Sequence, residues 1–417
     1  MNTSSATEQA LRPRPSSLKR VGALLLATGS GEYRKKKLAH SVLCLVFWLF
    51  VFLLFWRYEP DVLHFTFFRL TGTEPHASPF ALALLLTTLL SCLHRLVSLF
   101  VYFRDRHYAL TLLPSAVVAV LLTSFVPTVA WGVIAFCVVA LIAWAVLSLS
   151  DFRRRQLDKQ RHLYRIVPRL SWHAAWLCAL LLFVGIGSNG NRHYHAQLRM
   201  AELIRQTNYA AALHEADVEG KPERLFTALR AYALSKSGRS IAEELFVQPL
   251  ERANHTFLFL RKADERVIPI APVALYDHLG VYPQPHEADA EYLRRLYAYR
   301  PFASNTPARD YYFTALLLNK RLADFVRDYT RYHRLGHGET NVPRAYAEAL
   351  VLHDALHPTD SLRTELYLPH LHQNFRDFQE QRSRHKARNA QHHDLRSLYG
   401  NTYWWYYFYA NVMRSDE

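Results

Sequence analysis

The sequence predicts an all-α protein: a five-helix transmembrane domain followed by an extracytoplasmic α-helical domain. Two observations predict it. Five long apolar runs flanked by charge crowd into the first 190 residues, and none follows. Beyond them, apolar residues recur at helical spacing in short segments closed by polar, Gly or Pro turns.

Residues 1–37 read as a basic cytoplasmic segment, with Arg12, Arg14, Lys19, Arg20 and Arg34–Lys37. Val21–Thr28 resembles the core of a signal peptide but is too short to span. The basic Arg34–Lys37 follows where a cleavage region would need small residues, so a cytoplasmic or interfacial segment is expected.

The transmembrane domain is expected over 38–190. Its runs are Leu38–Trp56, Phe80–Phe103, Ala109–Phe125, Thr128–Leu149 and Trp172–Gly187. Each approaches the length that crosses a hydrocarbon layer of about 30 Å. Lys and Arg crowd the N-terminus and the loop Arg153–Arg169, while the first loop holds only Arg57 and Arg69, offset by Glu59, Asp61 and Glu74. That alternation keeps the N-terminus in the cytoplasm and sends everything after Gly187 across. The segment Val62–Leu70 is expected to lie on the outer leaflet through Phe65, Phe67 and Phe68.

The formal net charge of +15 invites a nucleic-acid reading, but its distribution argues against one. Up to residue 190 there are 20 Lys and Arg against 8 Asp and Glu; beyond it there are 30 against 27. The excess is topogenic and sits against lipid headgroups. All four cysteines, Cys44, Cys92, Cys137 and Cys178, fall in the expected membrane helices. That excludes a cysteine nucleophile, a zinc ribbon or a disulfide framework in the C-terminal domain. His94 and Arg95 are the ionisable pair set deeper within a run. Arg95 is placed to snorkel toward the headgroups, and the alternative is a buried functional pair of a transporter subunit.

The extracytoplasmic domain is expected over 191–417, with a division into two lobes near 265–285. Helices are expected at Arg192–Arg205, Tyr209–Ala216, Glu223–Lys236, Ile241–Phe246, Ala308–Leu318, Leu322–His333, Val342–His357 and about Leu362–Ala387. Paired short helices with tight turns suggest a helical-repeat array. Asn208–Leu213 (NYAAAL) looks like the turn and second-helix opening of a tetratricopeptide repeat, with Arg321–Phe325 a weaker echo.

The tail from Tyr399 to Tyr409 carries eight aromatics in eleven positions. On a helix these point in all directions, so they must meet other helices, the membrane surface or a partner. Tyr399, Tyr403, Trp404, Trp405, Tyr406 and Tyr407 are the candidate interaction residues. Here the chain resembles an uncharacterised family, a domain of unknown function in multi-pass bacterial inner-membrane proteins. That family has a tetratricopeptide-like C-terminal region and ends in a similar Y-G-x-T-Y-W-x-Y-Y motif. It also shows a pattern like Ala233–Gly238 (ALSKSG) followed by Leu245-Phe246. The resemblance implies architecture and an inner-membrane location, with the C-terminal domain periplasmic. It implies no activity and no catalytic residues.

His353 and His357 stand at i and i+4 with Asp354 between them. The spacing echoes H-E-x-x-H with aspartate for glutamate, and His370, His372 or His333–His337 could supply a third ligand. Histidines are frequent enough, 15 beyond residue 190, that such spacing also arises as ordinary surface. No G-x-S-x-G, Walker loop or dinucleotide fingerprint is present, and no cofactor is expected. The expected role is a non-enzymatic scaffold or interaction module of the cell envelope, with the bilayer and an envelope protein as partners and no nucleic acid. A metal-dependent hydrolase at His353, Asp354 and His357 and a transporter subunit are the alternatives.

Overall fold

The computed structural model describes residues 37–72, 78–100, 105–123, 167–215, 223–247, 250, 253–333, 342–358, 362–384 and 388–410. Among them every regular element is helical and there is no strand. The chain divides into two compact units, Met1–Gly190 and Asn191–Glu417.

The N-terminal unit is a small bundle. Helix α1 (Lys37–Tyr58) ends in a π-helical turn at Leu54–Tyr58. Helix α2 (Pro60–Thr71) begins on Pro60, whose missing N–H would be unpaired there anyway. Then come α3 (Pro79–Phe100), a 3-10 turn (Asp105–Leu112), α4 (Leu113–Thr123) and α5 (Val167–Gly187). Leu43, Phe47, Val51, Leu54 and Phe55 recur every three or four residues along α1. They share one core with Ala83 and Leu90 of α3, Ala116 and Val120 of α4, and Leu180 and Val184 of α5.

Ring and backbone contacts set the helix directions. His40, in the first turn of α1, stacks on Tyr108 ahead of α4 at 3.9 Å and meets His173 of α5 edge-on at 5.6 Å. Toward the other end, Phe80 at the start of α3 meets Trp56 of α1 at 5.5 Å. There also Gly187 lies so close to α4 that a Cβ on it would sit 2.7 Å from Val120 Cγ1. Glycine at 187 therefore sets the approach of α5 to α4. Helices α1, α4 and α5 run parallel, and α3 runs against them.

Two helices, Lys37–Tyr58 and Pro79–Ser98, are long and apolar enough to cross a membrane. His173–Gly187 makes a third only when taken together with Arg192–Arg205 across the break between them. Two or three spans, not five, are therefore found among the described residues. The expected crossing Ala109–Phe125 is divided. Its α-helical part, α4, has 11 residues, about 17 Å, against a layer of about 30 Å. The cause is Pro114, which has no N–H to bond back and whose ring excludes a continuous helix through the preceding turn. The expected crossing Thr128–Leu149, the segment Val21–Thr28 and the loop Arg153–Arg165 lie outside the described residues. Val62–Leu70 departs from expectation at Phe65, while Phe67 and Phe68 are half-buried. It belongs to α2, which buries Val62, Leu63, Phe65 and Thr66, and Thr66 Oγ1 donates to Leu122 O at 3.1 Å. Protein, not lipid, covers Phe65.

The C-terminal unit contains three helix pairs: α6 (Arg192–Arg205) with α7 (Tyr209–Glu215), α8 (Arg224–Lys236) with α9 (Ile241–Leu245), and α12 (Thr306–Leu318) with α13 (Leu322–Tyr332). The connecting turns are alike. Each has one residue in the left-handed region: Thr207 (φ 60°), Gly238 (φ 75°) and Lys320 (φ 55°). The next N–H returns five residues: Asn208 to Leu203 O (2.9 Å), Arg239 to Leu234 O (3.0 Å) and Arg321 to Leu316 O (2.9 Å). This Schellman closure satisfies carbonyls that a helix end leaves open and folds the next helix back.

Between the second and third pairs lie α10 (Val273–Leu279) and α11 (Asp289–Ala298). Residues 265–285, expected to separate a pair of lobes, are tied into the unit. Leu275, Tyr276 and Leu279 are buried, Tyr276 OH donates to Leu260 O at 2.8 Å, and Asn305 Nδ2 donates to Leu279 O at 3.1 Å. Helix α14 (Arg344–Leu356) is buried from Ala345 to Asp354. The last four helices are α15 (Thr364–Tyr367), α16 (Pro369–Arg384), α17 (Arg388–Tyr399) and α18 (Tyr403–Tyr409). The expected helix Leu362–Ala387 is thus broken. Arg363 is left-handed at φ 53°, and Leu368 (φ −131°, ψ 50°) cannot stay helical before Pro369.

Candidate functional site

The aromatic tail is built into the fold. Arg396 O lies 2.3 Å from where a Cβ on Gly400 would sit, so only glycine fits there. Thr402 caps α18, its hydroxyl accepting from Trp405 N at 3.2 Å. The helix then presents a different ring to each neighbour. Tyr403 OH donates to Leu317 O (3.2 Å), and Tyr406 OH shares its one proton between Leu318 O (2.6 Å) and Ala253 O (2.8 Å). Trp404 Nε1 donates to Glu348 O (2.8 Å), and its ring lies 5.1 Å from Phe375. Trp405 meets His392 of α17 at 5.1 Å.

Tyr403, Trp404, Trp405 and Tyr406 are buried, whereas Tyr399 and Tyr407 are half-buried. Of the six candidate interaction residues, these four are committed to the unit's own core. A helix apolar all round is stable when neighbours cover every side. Phe246, from the Leu245-Phe246 pair, touches Tyr403 (5.4 Å) and Tyr406 (5.2 Å). The two segments that carried the family resemblance therefore meet in one cluster.

The His353 cluster does not assemble as a metal site. His353 is buried, with its ring 4.7 Å from that of His357. Asp354 accepts from Leu362 N (3.0 Å), Thr364 N (3.0 Å) and Thr364 Oγ1 (2.7 Å), so its carboxylate holds the loop after α14. Thr364 gives its one proton to Asp354, so His372 Nε2, 2.5 Å away, is the donor to Thr364 Oγ1. His370 is exposed, His333 stacks on Tyr329 at 4.4 Å, and His337 lies outside the described residues. Among the described residues no group of three His, Cys, Asp or Glu is arranged to hold a metal ion.

His94 and Arg95 face different surroundings. His94 is buried, and its Nε2 lies 2.9 Å from Thr111 Oγ1. Thr111 donates to Tyr108 O at 2.7 Å, so His94 Nε2 carries the proton toward Thr111. Arg95, the next residue of α3, is exposed.

A cleft of about 340 Å³ opens in the C-terminal unit between the α8–α9 turn and helices α12, α13 and α14. Ser235, Gly238, Arg239 and Ser240 form one lip, and Thr306, Pro307 and Arg309 another. Phe313, Tyr329, His333 and Tyr346 line the interior. Asp310 closes the base. Its carboxylate accepts from Ser240 Oγ (2.9 Å), Ile241 N (2.6 Å) and Tyr346 OH (2.6 Å). It thereby caps α9 from a distant part of the chain. Burial pushes the Asp310 carboxyl above its ordinary value, and the three hydrogen bonds pull it back. Burial likewise raises the Tyr346 phenol well above the ordinary range, with Asp310 adding to it.

Ser235 Oγ lies 2.9 Å from His278 Nε2. This is the cleft's nearest approach to a nucleophile–base pair, and it is a poor one. Burial, reinforced by Lys236, lowers His278 to about 4, too weak a base near neutrality. Among the described residues no carboxylate orients its other nitrogen, as an active triad requires.

Arg239 is ion-paired with Glu244. Arg309 has no carboxylate partner among the described residues. Its Nη2 reaches only Thr306 Oγ1 at 3.4 Å, and its Nε is buried without a hydrogen bond. Neither Arg309 nor Asp310 stood out in the sequence. The signal was faint: Ser240 as a cap after a glycine turn, and an Arg-Asp step in the first turn of α12.

Neither the curated proteins nor the solved structures include a match to the chain. A domain described as a family of unknown function (DUF6057) is found at residues 282–410, which contain α11 to α18, and so the three helices lining the cleft and the aromatic tail.

Proposed function

We propose that the protein is a membrane-anchored, non-enzymatic binding module of the bacterial envelope, and that its C-terminal unit takes a partner in the cleft beside Arg309. One observation carries this reading. The buried carboxylates that hydrolytic chemistry would need are already held. Asp264 holds Arg224 and Arg261 N, Asp328 holds Tyr312 and Arg327, Glu348 holds Tyr403 N and Arg344, and Asp354 holds its loop. The cleft keeps an arginine and an apolar wall for binding.

The parallel course of α1 and α5 supports a location for the C-terminal unit across the membrane from Lys37. Lys37 starts α1 at the end of the bundle that gathers His40, Tyr108 and His173, and Gly187 leaves at the other. That argument depends on direction rather than on the number of crossings. The basic residues before α1 support a cytoplasmic N-terminus, and so a periplasmic C-terminal unit in an inner membrane. The three alike turns support a degenerate helical repeat of tetratricopeptide type.

The test is photocrosslinking in living cells. A photoreactive residue at Thr306, on the cleft lip, is compared with one at Leu366, an exposed position on α15. The reading expects one discrete adduct from Thr306 and none from Leu366. Equal labelling from the two positions, or none from Thr306, overturns it.

A further inference from the structure

We infer that the cleft recognises a single carboxylate placed next to an apolar ring, with the Arg309 guanidinium on the carboxylate. The inference rests on the binding role proposed above and names the chemistry of what is bound. The unpaired guanidinium is the starting point. A half-buried arginine lacking both an acid partner and a bond at Nε needs an explanation, and an anion supplied from outside is one.

Charge balance narrows the class. Glu244 already neutralises Arg239, and Asp310 adds a carboxylate at the base. With Asp310 ionised these charges and Arg309 sum to zero, so a monoanion set on Arg309 leaves one excess negative charge while a phosphate dianion leaves two, and the monoanion is favoured. The apolar part has its own place. Phe313 and the His333 ring, with Pro307 and Pro343 at the mouth, give a mainly carbon wall. The volume of about 340 Å³ sits at the small end of ligand sites, enough for one ring and its acid. Such a group could be a free small acid or the last residue of a partner protein ending in an aromatic side chain.

The experiment uses the full chain in nanodiscs, with ligand-observed NMR and calorimetry. One arm compares benzoate with benzamide. The other compares a short peptide ending in phenylalanine as the free acid with the same peptide as its amide. In at least one arm the acid is expected to bind about tenfold or more tightly than its amide, the span of about 1.4 kcal/mol that a charge-assisted bond readily supplies. Arg309→Gln should erase that preference, Arg309→Lys should keep some of it, and Arg294→Gln, an exposed arginine on α11, should leave it intact. Circular dichroism melting of Arg309→Gln checks the fold. A roughly tenfold advantage of the peptide acid over benzoate assigns the group to a partner's C-terminus, and the reverse assigns it to a free acid. Equal binding of acid and amide, no binding in either arm, or displacement by inorganic phosphate overturns the inference. A Thr306 adduct in cells would survive that result, so the two failures are distinguishable.

Discussion

Trp404→Ala is the perturbation that most directly tests how the C-terminal unit is held together. Trp404 is 1% exposed, its ring packs between Phe375 and Phe378 of α16, and its indole N–H ends on Glu348 O of α14. Truncating a fully buried tryptophan costs about 3–5 kcal/mol, the lost transfer energy plus the cavity left behind. The lost hydrogen bond, about 1 kcal/mol, falls within that range. Total stability for such a unit is about 5–15 kcal/mol, so the loss is a third or more of it. Pulse proteolysis of the full chain across a urea series reads the unfolding of this unit in place. With a urea slope of about 2–3 kcal/mol/M, the midpoint should fall by about 1.5 M. Tyr407→Ala, at a half-buried position on the same helix, is the control and should cost less than half as much. A Trp404→Ala midpoint no lower than that of Tyr407→Ala would show that the tail lies outside the core.

Three further outcomes follow from the geometry. Gly187→Ala should lower the melting temperature of the N-terminal unit, because the new methyl meets Val120 at 2.7 Å; overpacking of this kind costs about 1–3 kcal/mol, and Val120→Ala in the same chain should restore most of it. Asp310→Ala should cost about 2–4 kcal/mol in the same urea assay, since Ser240, Ile241 N and Tyr346 lose their common acceptor. His278 titrates near 6.5 when unfolded and about 4 when folded, so the unfolded chain binds the extra proton between those values. Its contribution is therefore complete above pH 6.5 and is lost as pH falls toward 4, by roughly 1–2 kcal/mol once partial exposure is allowed for. Subtracting the pH–stability curve of His278→Gln isolates that slope, and a difference that does not vary with pH contradicts it.

Much of the helical order was legible because its signals are local. Arg192–Arg205 matched its expected limits, and the limits of α8, α9, α13 and α14 moved by one or two residues. The turns at Thr207 and Lys320 were harder to read as recurrent, because neither uses the glycine that usually marks a left-handed cap. The cleft was not legible. Ser240, Asp310 and Tyr346 are separated by tens of residues, and only packing brings them within 2.9 Å. The tail left its destination open, since its rings could meet other helices, the membrane surface or a partner. Eight aromatics in eleven positions suit all three until α12, α14, α16 and α17 are seen to surround them. His353 and Asp354 show the complementary case: ligand spacing on a helix says nothing about the loop backbone that claims the carboxylate.

The central proposal is that the Arg309 cleft faces the compartment across the membrane from Lys37. Every cysteine of the chain precedes residue 190, so a cysteine-free version can carry a single Thr306→Cys on the cleft lip or a single Lys37→Cys at the start of α1. A membrane-impermeant maleimide added to intact spheroplasts should label Thr306→Cys at once and Lys37→Cys only after lysis. Labelling of Thr306→Cys only after lysis, alongside Lys37→Cys, would contradict the account.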